Sequence, residues 1–166
     1  MRTITLKDIA AKLNISVTTV SKALKGYSDV SPSTRKAVIQ LAKEMNYEPN
    51  IVAVNLRTQQ TKTIGVIIPT IVHHFFSKVI NGIIKEAEKH GYLVITVQSN
   101  EKLESEEKQL YLLQQKRVDG ILISLSNETS KYNHIEAILR KKIPIVMFDK
   151  IGKLVECSKV VIDDQL

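Results

Sequence analysis

Hydrophobic residues at the start of the chain recur at the spacing of amphipathic helices. Four of them fall at i, i+3, i+4 and i+7 and predict the apolar face of a first helix: Leu6, Ile9, Ala10 and Leu13. Thr5 and Asp8 have the spacing of a capping box at its start. A turn at residues 14–16, with Ser16 as the next N-cap, leads to a second helix with three residues on its buried side: Val20, Ala23 and Leu24.

The opposite side of this second helix carries short, hydroxyl-bearing and cationic side chains and no acid. We call it the reading face, and it consists of Val17, Thr18, Ser21, Lys22 and Lys25. A slim helix with such a face fits the DNA major groove, where its first turn reaches base edges. The spacing alone is equally compatible with a generic pair of amphipathic helices, and the acid-free face favours DNA.

A third helix and a short apolar segment follow. Ser31 and Pro32 have the residue types of a helix start, and four residues mark the buried face of that helix: Val38, Leu41, Ala42 and Met45. Three short helices around one core predict a helix-turn-helix head ending near Tyr47. Residues 51–57 form no helical stripe that could pack on the head, so we expect them to fold only when paired with a second copy and DNA.

From Thr61 onward, apolar runs alternate with helical patterns. Predicted strands cover residues 62–69, 92–97, 118–124, 143–149 and 160–163, and predicted helices cover residues 76–87, 103–116 and 135–139. Gly91 follows the first of these helices, where a C-cap is expected. Regular alternation of this kind predicts a doubly wound parallel sheet. The predicted fold class is therefore α plus α/β: a head (1–48), a hinge segment (49–60) and a lobe (61–166).

Charge supports an anionic partner for the head. The net charge is +7, and residues 1–60 hold nine lysines and arginines against four acids. A basic head on a nearly neutral body favours nucleic acid. The single cysteine, Cys157, excludes an internal disulfide framework. The sequence has no membrane-length apolar run and no signal-peptide core at its start, so we expect a cytoplasmic location without a membrane partner.

Several stretches carry a specific resemblance. They are residues 5–10 (TLKDIA), 16–22 (SVTTVSK), 30–35 (VSPSTR) and 46–50 (NYEPN), with Leu56 after them. They resemble the DNA-binding head and hinge of the LacI family of bacterial transcriptional regulators. The resemblance implies a homodimer on a palindromic operator in double-stranded DNA, controlled by a small-molecule effector such as a sugar, with repression the expected outcome.

The resemblance also implies roles for residues. Val17, Thr18 and Lys22 would read bases, and Lys22 stands where many family members carry Arg and lacks its bidentate fork. Ala53 and Leu56 would enter the minor groove, where Leu56 acts as a wedge between base steps. Contacts to the DNA backbone or control of the docking angle fall to Thr5, Leu6, Ser16, Thr19, Ser21, Lys25, Ser31, Thr34, Tyr47 and Asn50.

Residues 61–166 resemble the N-terminal lobe of the family's effector domain, which has the periplasmic sugar-binding-protein fold. The resemblance places the effector at the carboxyl ends of the strands, as open sheets generally do. Phe75 and Phe76 would stack on the ligand, and Asp149 would accept hydrogen bonds from it. Each Phe could equally belong to the core, which the helical stripe favours for Phe76, and Asp149 could instead cap a turn.

Two other possibilities bear on function. Family members continue for roughly as many residues again, so the resemblance implies a truncated chain. An alternative function is therefore a small-molecule-binding lobe that acts as a sensor through mixed dimers and binds little DNA itself. The sequence contains no phosphate-binding glycine motif and no G-x-S-x-G elbow, so we expect no enzyme and no cofactor. Its four histidines are scattered, which predicts polar surface residues and no metal site. We expect the charged run 101–108 to be a solvated helix face.

Overall fold

The computed structural model describes residues 4–72 and 74–161 of the chain. These residues divide into two compact units, one ending at Val54 and the other beginning at Asn55. The predicted hinge segment 49–60 spans this division.

The first unit contains the three predicted helices around one core. They are α1 (Leu6–Leu13), α2 (Val17–Leu24) and α3 (Pro32–Glu44). Their shared core is small and aliphatic: Ile9, Ala10, Val20, Ala23, Val30, Val38 and Ala42. The helical spacing therefore predicted both the helices and the residues that they bury. Leu24 and Leu41, expected on buried faces, are half-buried and pack against this core.

Side-chain caps explain where the head helices begin. Asp8 accepts hydrogen bonds from the Thr5 backbone N–H at 2.8 Å and from the Thr5 hydroxyl at 2.7 Å, within a formed capping box. Ser16 Oγ accepts from the Thr19 N–H at 3.0 Å and so begins α2. Between these caps Asn14 adopts φ 52°, a left-handed conformation that ends α1 and turns the chain toward α2.

Residues of the hinge segment form a fourth helix, α4 (Ile51–Thr58). Asn50 Oδ1 accepts from the Ala53 N–H at 3.1 Å and caps it. None of the eight residues of α4 is buried, and Ile51, Val52 and Leu56 are 65–69% exposed. The sequence predicts a segment that is helical only in a pair, whereas here it is helical in the single chain. The Asn50 cap favours the helix locally, but its apolar side chains remain exposed.

The second unit is built on a parallel five-stranded sheet in the order β2-β1-β3-β4-β5. The strands are β1 (Thr63–Ile68), β2 (Leu93–Gln98), β3 (Gly120–Ile123), β4 (Ile145–Phe148) and β5 (Ser158–Val160). Every adjacent pair is parallel. The prediction of a doubly wound parallel sheet is confirmed in this order, because the chain runs from β1 to one edge and then across to the other.

Helices cover both faces of the sheet. They are α5 (His74–Lys89), α6 (Leu103–Gln115) and α7 (Asn133–Arg140). Val66 and Ile68 of β1 pack with Phe76 and Ile80 of α5. Ile67, which lies between them on β1, belongs to the other cluster with residues of α6 and α7. This alternation along one buried strand is why its sequence is continuously apolar.

Details of the second unit follow local sterics. Gly91 has φ 71° and ends α5 as predicted, with its N–H donating to the Glu88 carbonyl at 3.0 Å. β5 begins at Ser158, two residues before the predicted start, and the predicted residues 162–163 lie outside the described part. The earlier start follows from pairing with β4, since Ser158 is in register with Val146.

Candidate nucleic-acid interface

The reading face lies on the surface of the head as predicted. Val17, Thr18 and Lys25 are exposed, whereas Ser21 and Lys22 are half-buried. Val17 is 39% exposed although it is apolar. A shallow depression of about 380 Å³ runs along this face, lined by Leu6, Val17, Thr18, Ser21, Lys22, Lys25 and Tyr27. The fold thus presents an accessible α2 with no acidic residue lining the depression.

A second, larger depression of about 710 Å³ adjoins the start of α1 and the segment after α3. Its lining is Ile4, Thr5, Leu6, Lys7, Val17, Tyr47, Glu48, Pro49 and Asn50. Leu6 and Val17 line both depressions. Candidate residues from three separate stretches of sequence therefore meet on one continuous surface of the head.

Tyr47 is held against the core of the head. Its N–H donates to the Ala42 carbonyl at 2.8 Å, and its ring packs against the head core. Burial raises the pKa of the Tyr47 phenol above its ordinary value of 10.0. The hydroxyl therefore stays protonated at neutral pH and can donate a hydrogen bond to a phosphate oxygen.

Four candidate hydroxyl residues form the caps of α2 and α3. Ser16 is the N-cap of α2, and its hydroxyl oxygen lies 2.8 Å from that of Thr19 inside the helix. Ser31 Oγ accepts from the Thr34 N–H at 3.2 Å and caps α3. In the free protein these residues order two helix N-termini, whose N–H groups and dipoles favour anions. All four hydroxyls are already engaged in hydrogen bonds within the head.

An acidic residue that the sequence analysis did not select lies beside the reading face. Lys22 Nζ donates a hydrogen bond to Asp29 Oδ2, in an ion pair whose side chains are 42% and 53% exposed, respectively. The hydrogen bond from Lys22 holds the pKa of the Asp29 carboxyl below its ordinary value of 3.8. The two residues are seven positions apart, but α2 ends at Leu24, so the turn between α2 and α3 and not a continuous helix brings them together.

The candidate minor-groove residues share one helix. Ala53 and Leu56 are three residues apart on α4, which places them on one face. Both are exposed, Leu56 by 65%. Leucine protruding beside a small residue has the shape of a wedge between base steps.

The effector candidates separate into exposed and buried residues. Phe75 is 38% exposed, whereas Phe76 is 5% exposed and its ring packs at 6.4 Å from that of Phe148. Phe76 therefore belongs to the core, as its place in the helical stripe favoured, and its ring is not available to stack on a ligand. Asp149 follows β4, is exposed, and accepts from the Ser124 hydroxyl at 3.0 Å.

A buried polar cluster corrects two predictions. Glu106, expected on a solvated face of α6, is 0% exposed. It accepts from the Ser126 N–H at 2.6 Å, from Thr129 Oγ1 at 2.9 Å and from His134 Nε2 at 2.8 Å. The His134 side chain is only 10% exposed, so it is not a surface residue either. Glu106 lies in line with Leu103, Leu110 and Leu113, and that stripe was the available signal.

Nearby polar residues line the carboxyl edge of the sheet. Glu101, after β2, accepts from Lys150 Nζ at 2.6 Å and from the Asn127 N–H at 2.8 Å. Lys150 immediately follows Asp149. The strand ends therefore bring together charged and hydroxyl groups, of which the sequence analysis selected only Asp149.

Residues 4–72 and 74–161 lack two kinds of feature. They contain no group of three or more His, Cys, Asp or Glu residues placed to hold a metal ion. None of their helices is both long and apolar enough to cross a membrane.

Family models match both units of the chain. Residues 5–50 match the model of bacterial regulatory proteins of the lacI family. Residues 61–164 match the model of periplasmic binding proteins and the sugar binding domain of the LacI family. The residues between the two matches, 51–60, include α4.

Individual relatives agree with the family models. Catabolite control protein B of Bacillus subtilis is 38% identical over 153 residues, covering 92% of this chain and 45% of the relative. Catabolite control protein A of Priestia megaterium is 34% identical and covers 96% and 48%. The crystal structure of the lac repressor dimer bound to operator and the anti-inducer ONPF matches with TM-score 0.78 and 25% identity, covering 96% and 48%. The chain spans about half the length of these relatives.

Proposed function

The chain belongs to the lacI family of bacterial regulatory proteins, and from this we propose that it is a sequence-specific DNA-binding transcriptional regulator. It acts as a repressor in the cytoplasm, binds a palindromic operator as a homodimer and responds to a small-molecule effector. The observation that carries this proposal is the exposed reading face, continuous with the groove that contains Leu6, Tyr47 and Asn50.

Direct base readout falls to one helix. The α2 helix enters the major groove, where Val17, Thr18 and Lys22 face base edges. Each well-formed base contact contributes ~1–3 kcal/mol of discrimination between bases. Val17 suits an apolar contact such as a thymine methyl group, and the Lys22 ammonium suits guanine O6 or N7.

Contacts to the sugar-phosphate backbone fix the register of the head. The residues with this role are Thr5, Leu6, Ser16, Thr19, Ser21, Lys25, Ser31, Thr34, Tyr47 and Asn50. Hydroxyls, helix N-termini and one cation, Lys25, supply these contacts and carry no sequence information themselves. The affinity should also fall steeply as the salt concentration rises, because residues 1–60 hold nine lysines and arginines against four acids and these cations neutralise phosphates.

The hinge segment sets the distance between two heads. The exposed apolar side chains of α4 gain packing when two copies meet over the minor groove, where Ala53 approaches the bases and Leu56 inserts between them. Each head then occupies one half-site, and half-sites lie about one helical turn, ~34 Å, apart.

The effector binds at the carboxyl edge of the sheet in the second unit. Phe75 offers an exposed aromatic ring for a sugar or purine face, and Asp149 offers a carboxylate for hydroxyls or amines. The relatives are named as regulators rather than enzymes, which supports a binding role without catalysis.

The test combines DNA titration with sedimentation of the same preparation. Labelled duplex DNA is titrated with the chain at several salt concentrations, with heparin as competitor, and the oligomeric state is measured by analytical ultracentrifugation. The proposal predicts dimers whose affinity for duplex DNA falls steeply as the salt concentration rises. These dimers should stay bound to the duplex when heparin is added. A chain that binds no duplex DNA in this titration would instead favour the alternative of a sensor that acts through mixed dimers.

A further inference from the structure

Hydrogen bonds and core packing anchor the turn that carries the Lys22–Asp29 ion pair. The Tyr27 N–H donates to the Lys22 carbonyl at 3.1 Å, and Arg35 Nη2 donates to the Tyr27 carbonyl at 2.5 Å. Val30, directly after Asp29, is 6% exposed and belongs to the head core. The turn that carries Asp29 is therefore anchored on both sides, and its carboxylate stays within reach of α2.

Two other acids of the head, Asp8 and Glu44, are engaged elsewhere. Asp8 completes the capping box of α1, and Glu44 accepts from Gln40 Nε2 at 3.1 Å on α3. Asp29 instead places a negative charge at the end of α2. It pairs there with Lys22, the cation proposed to read a base at the C-terminal end of the reading face. A carboxylate this close to the proposed DNA-binding surface repels phosphate groups. Its role therefore differs from that of a helix-capping carboxylate such as Asp8.

We propose that Asp29 is a specificity-determining residue, which holds the Lys22 ammonium toward the base edges and away from the DNA phosphates. The inference rests on the proposed DNA-binding function. It implies that Asp29 influences the readout of one base pair although Asp29 itself contacts no base.

The physical basis is the number of donors on the ammonium. Lysine has three N–H donors, so Lys22 can keep one hydrogen bond to Asp29 while it donates another to guanine O6 or N7. A lysine without this partner is a flexible point charge that reaches any nearby phosphate. On random DNA the paired Lys22 neutralises no phosphate and releases no counterion. Asp29 therefore lowers non-specific affinity more than it lowers affinity for the operator.

The experiment measures affinity and base preference together. Wild type, Asp29→Asn, Lys22→Ala and the double variant are titrated at several salt concentrations. Two DNAs are used: the duplex that wild type selects from a random pool, and a scrambled duplex. On the scrambled duplex, Asp29→Asn should steepen the slope of log affinity against log salt by about 0.9 per head, the value for one added phosphate contact. Its specificity ratio should fall severalfold, with base preference lost at one operator position.

Control variants distinguish the effect of the Lys22–Asp29 ion pair from the effect of a change in net charge. Glu44→Gln makes the same change in charge on α3 and should leave both the base preference and the ratio of affinities near wild type. In the Lys22→Ala background, Asp29→Asn should no longer alter base preference, because the ammonium that it positions is gone. Circular dichroism of each variant shows whether the head remains folded.

The outcomes distinguish the two proposals. If wild type selects a duplex but Asp29→Asn keeps its specificity ratio and its base preference, the role of Asp29 is wrong and the DNA-binding function stands. An equal effect of Asp29→Asn with and without Lys22 would also overturn the inference. If wild type selects no duplex, the proposed function fails, and the role of Asp29 fails with it.

Discussion

Glu106 Oε1 lies 2.8 Å from His134 Nε2 in the interior of the second unit. The side chains are 0% and 10% exposed, respectively. Two further donors reach the same carboxylate, the Ser126 N–H and the Thr129 hydroxyl. Glu106 thus joins α6, α7 and the loop after β3 through one buried acceptor, and that loop borders the carboxyl edge where the effector is proposed to bind.

Replacing Glu106 should destabilise the second unit strongly. Glu106→Ala leaves the buried Ser126 N–H and the partly buried Thr129 hydroxyl and His134 ring without their acceptor, which costs about 3 kcal/mol or more. The measurement is hydrogen exchange of the β3 and β4 amides in increasing urea, because it reports on this unit alone. Glu107→Ala, at an exposed neighbour on the same helix, is the control and should have little effect. Equal protection in the two variants would contradict a structural role for the buried carboxylate.

A methyl group at Gly65 should also weaken the second unit. A Cβ at this position on β1 would lie 2.6 Å from Leu113 Cδ1, so α6 must shift or Leu113 must leave its rotamer. We expect Gly65→Ala to cost ~1–3 kcal/mol of unfolding free energy, measured by urea denaturation.

Two further variants make the Gly65 prediction specific. Gly82→Ala is the matched control, because a Cβ there meets nothing within 4 Å and alanine is the better helix former by up to about 1 kcal/mol. A second substitution, Leu113→Ala, should remove the clash, so Gly65→Ala should cost less in that background. Destabilisation by both glycine substitutions alike would mean that contact with Leu113 is not the cause.

The ion pair at the reading face makes a prediction about titration. The Asp29 carboxyl should titrate below its ordinary pKa of 3.8, as followed by carboxyl carbon NMR shifts. Because this pKa is lowered in the folded head, the pair contributes stability above 3.8, and that contribution is lost as the pH falls through the folded-state pKa.

Substitution of Lys22 tests the cause of that shift. Lys22→Ala should return the pKa of Asp29 toward 3.8, and Lys22→Arg should keep it low. The pKa of Glu86, lowered by its hydrogen bonds from Lys89 and then from His90, serves as internal control and should not respond. An Asp29 pKa that Lys22→Ala leaves unchanged would show that the ammonium is not its partner.

Truncation of the proposed wedge should separate docking from bending. Leu56→Ala should keep contacts at each half-site but reduce DNA bending, because alanine is too short to unstack a base step. Bend angles follow from gel shifts on circularly permuted duplexes. Ile51→Ala shortens another exposed apolar side chain of the same helix and shows how much bending is lost when hinge packing alone is weakened. Bending that is identical in wild type and Leu56→Ala would exclude the wedge.

Periodicity and caps predicted most of the fold. The i, i+3, i+4 spacing around Ile9 and the residue types at Ser16 and Pro32 are local, and each acts within one helix. The continuous apolar sequence of β1 likewise indicates a strand that is buried on both faces of the sheet. Its burial can therefore be inferred from the residue types alone. These are the features for which local preference and tertiary packing agree.

The contacts that could not be predicted from the sequence join different elements of the fold. Lys22 and Asp29 meet because a turn folds back, and Glu106 and His134 meet because α6 and α7 pack side by side. A glutamate in a leucine stripe is visible in the sequence, but its three donors come from residues 20 to 28 positions away. Neighbours such as Phe75 and Phe76 differ for a simpler reason, since about 100° of rotation separates adjacent helical residues.

The most direct test of the central claim is selection of duplexes from a random pool by the purified chain, followed by sequencing of the bound fraction. The account predicts enrichment of a palindrome with half-sites about one helical turn apart, and loss of preference at single positions in Thr18→Ala and Lys22→Ala. A bound fraction with no enriched sequence, or enrichment that these substitutions leave unchanged, would contradict DNA reading by α2.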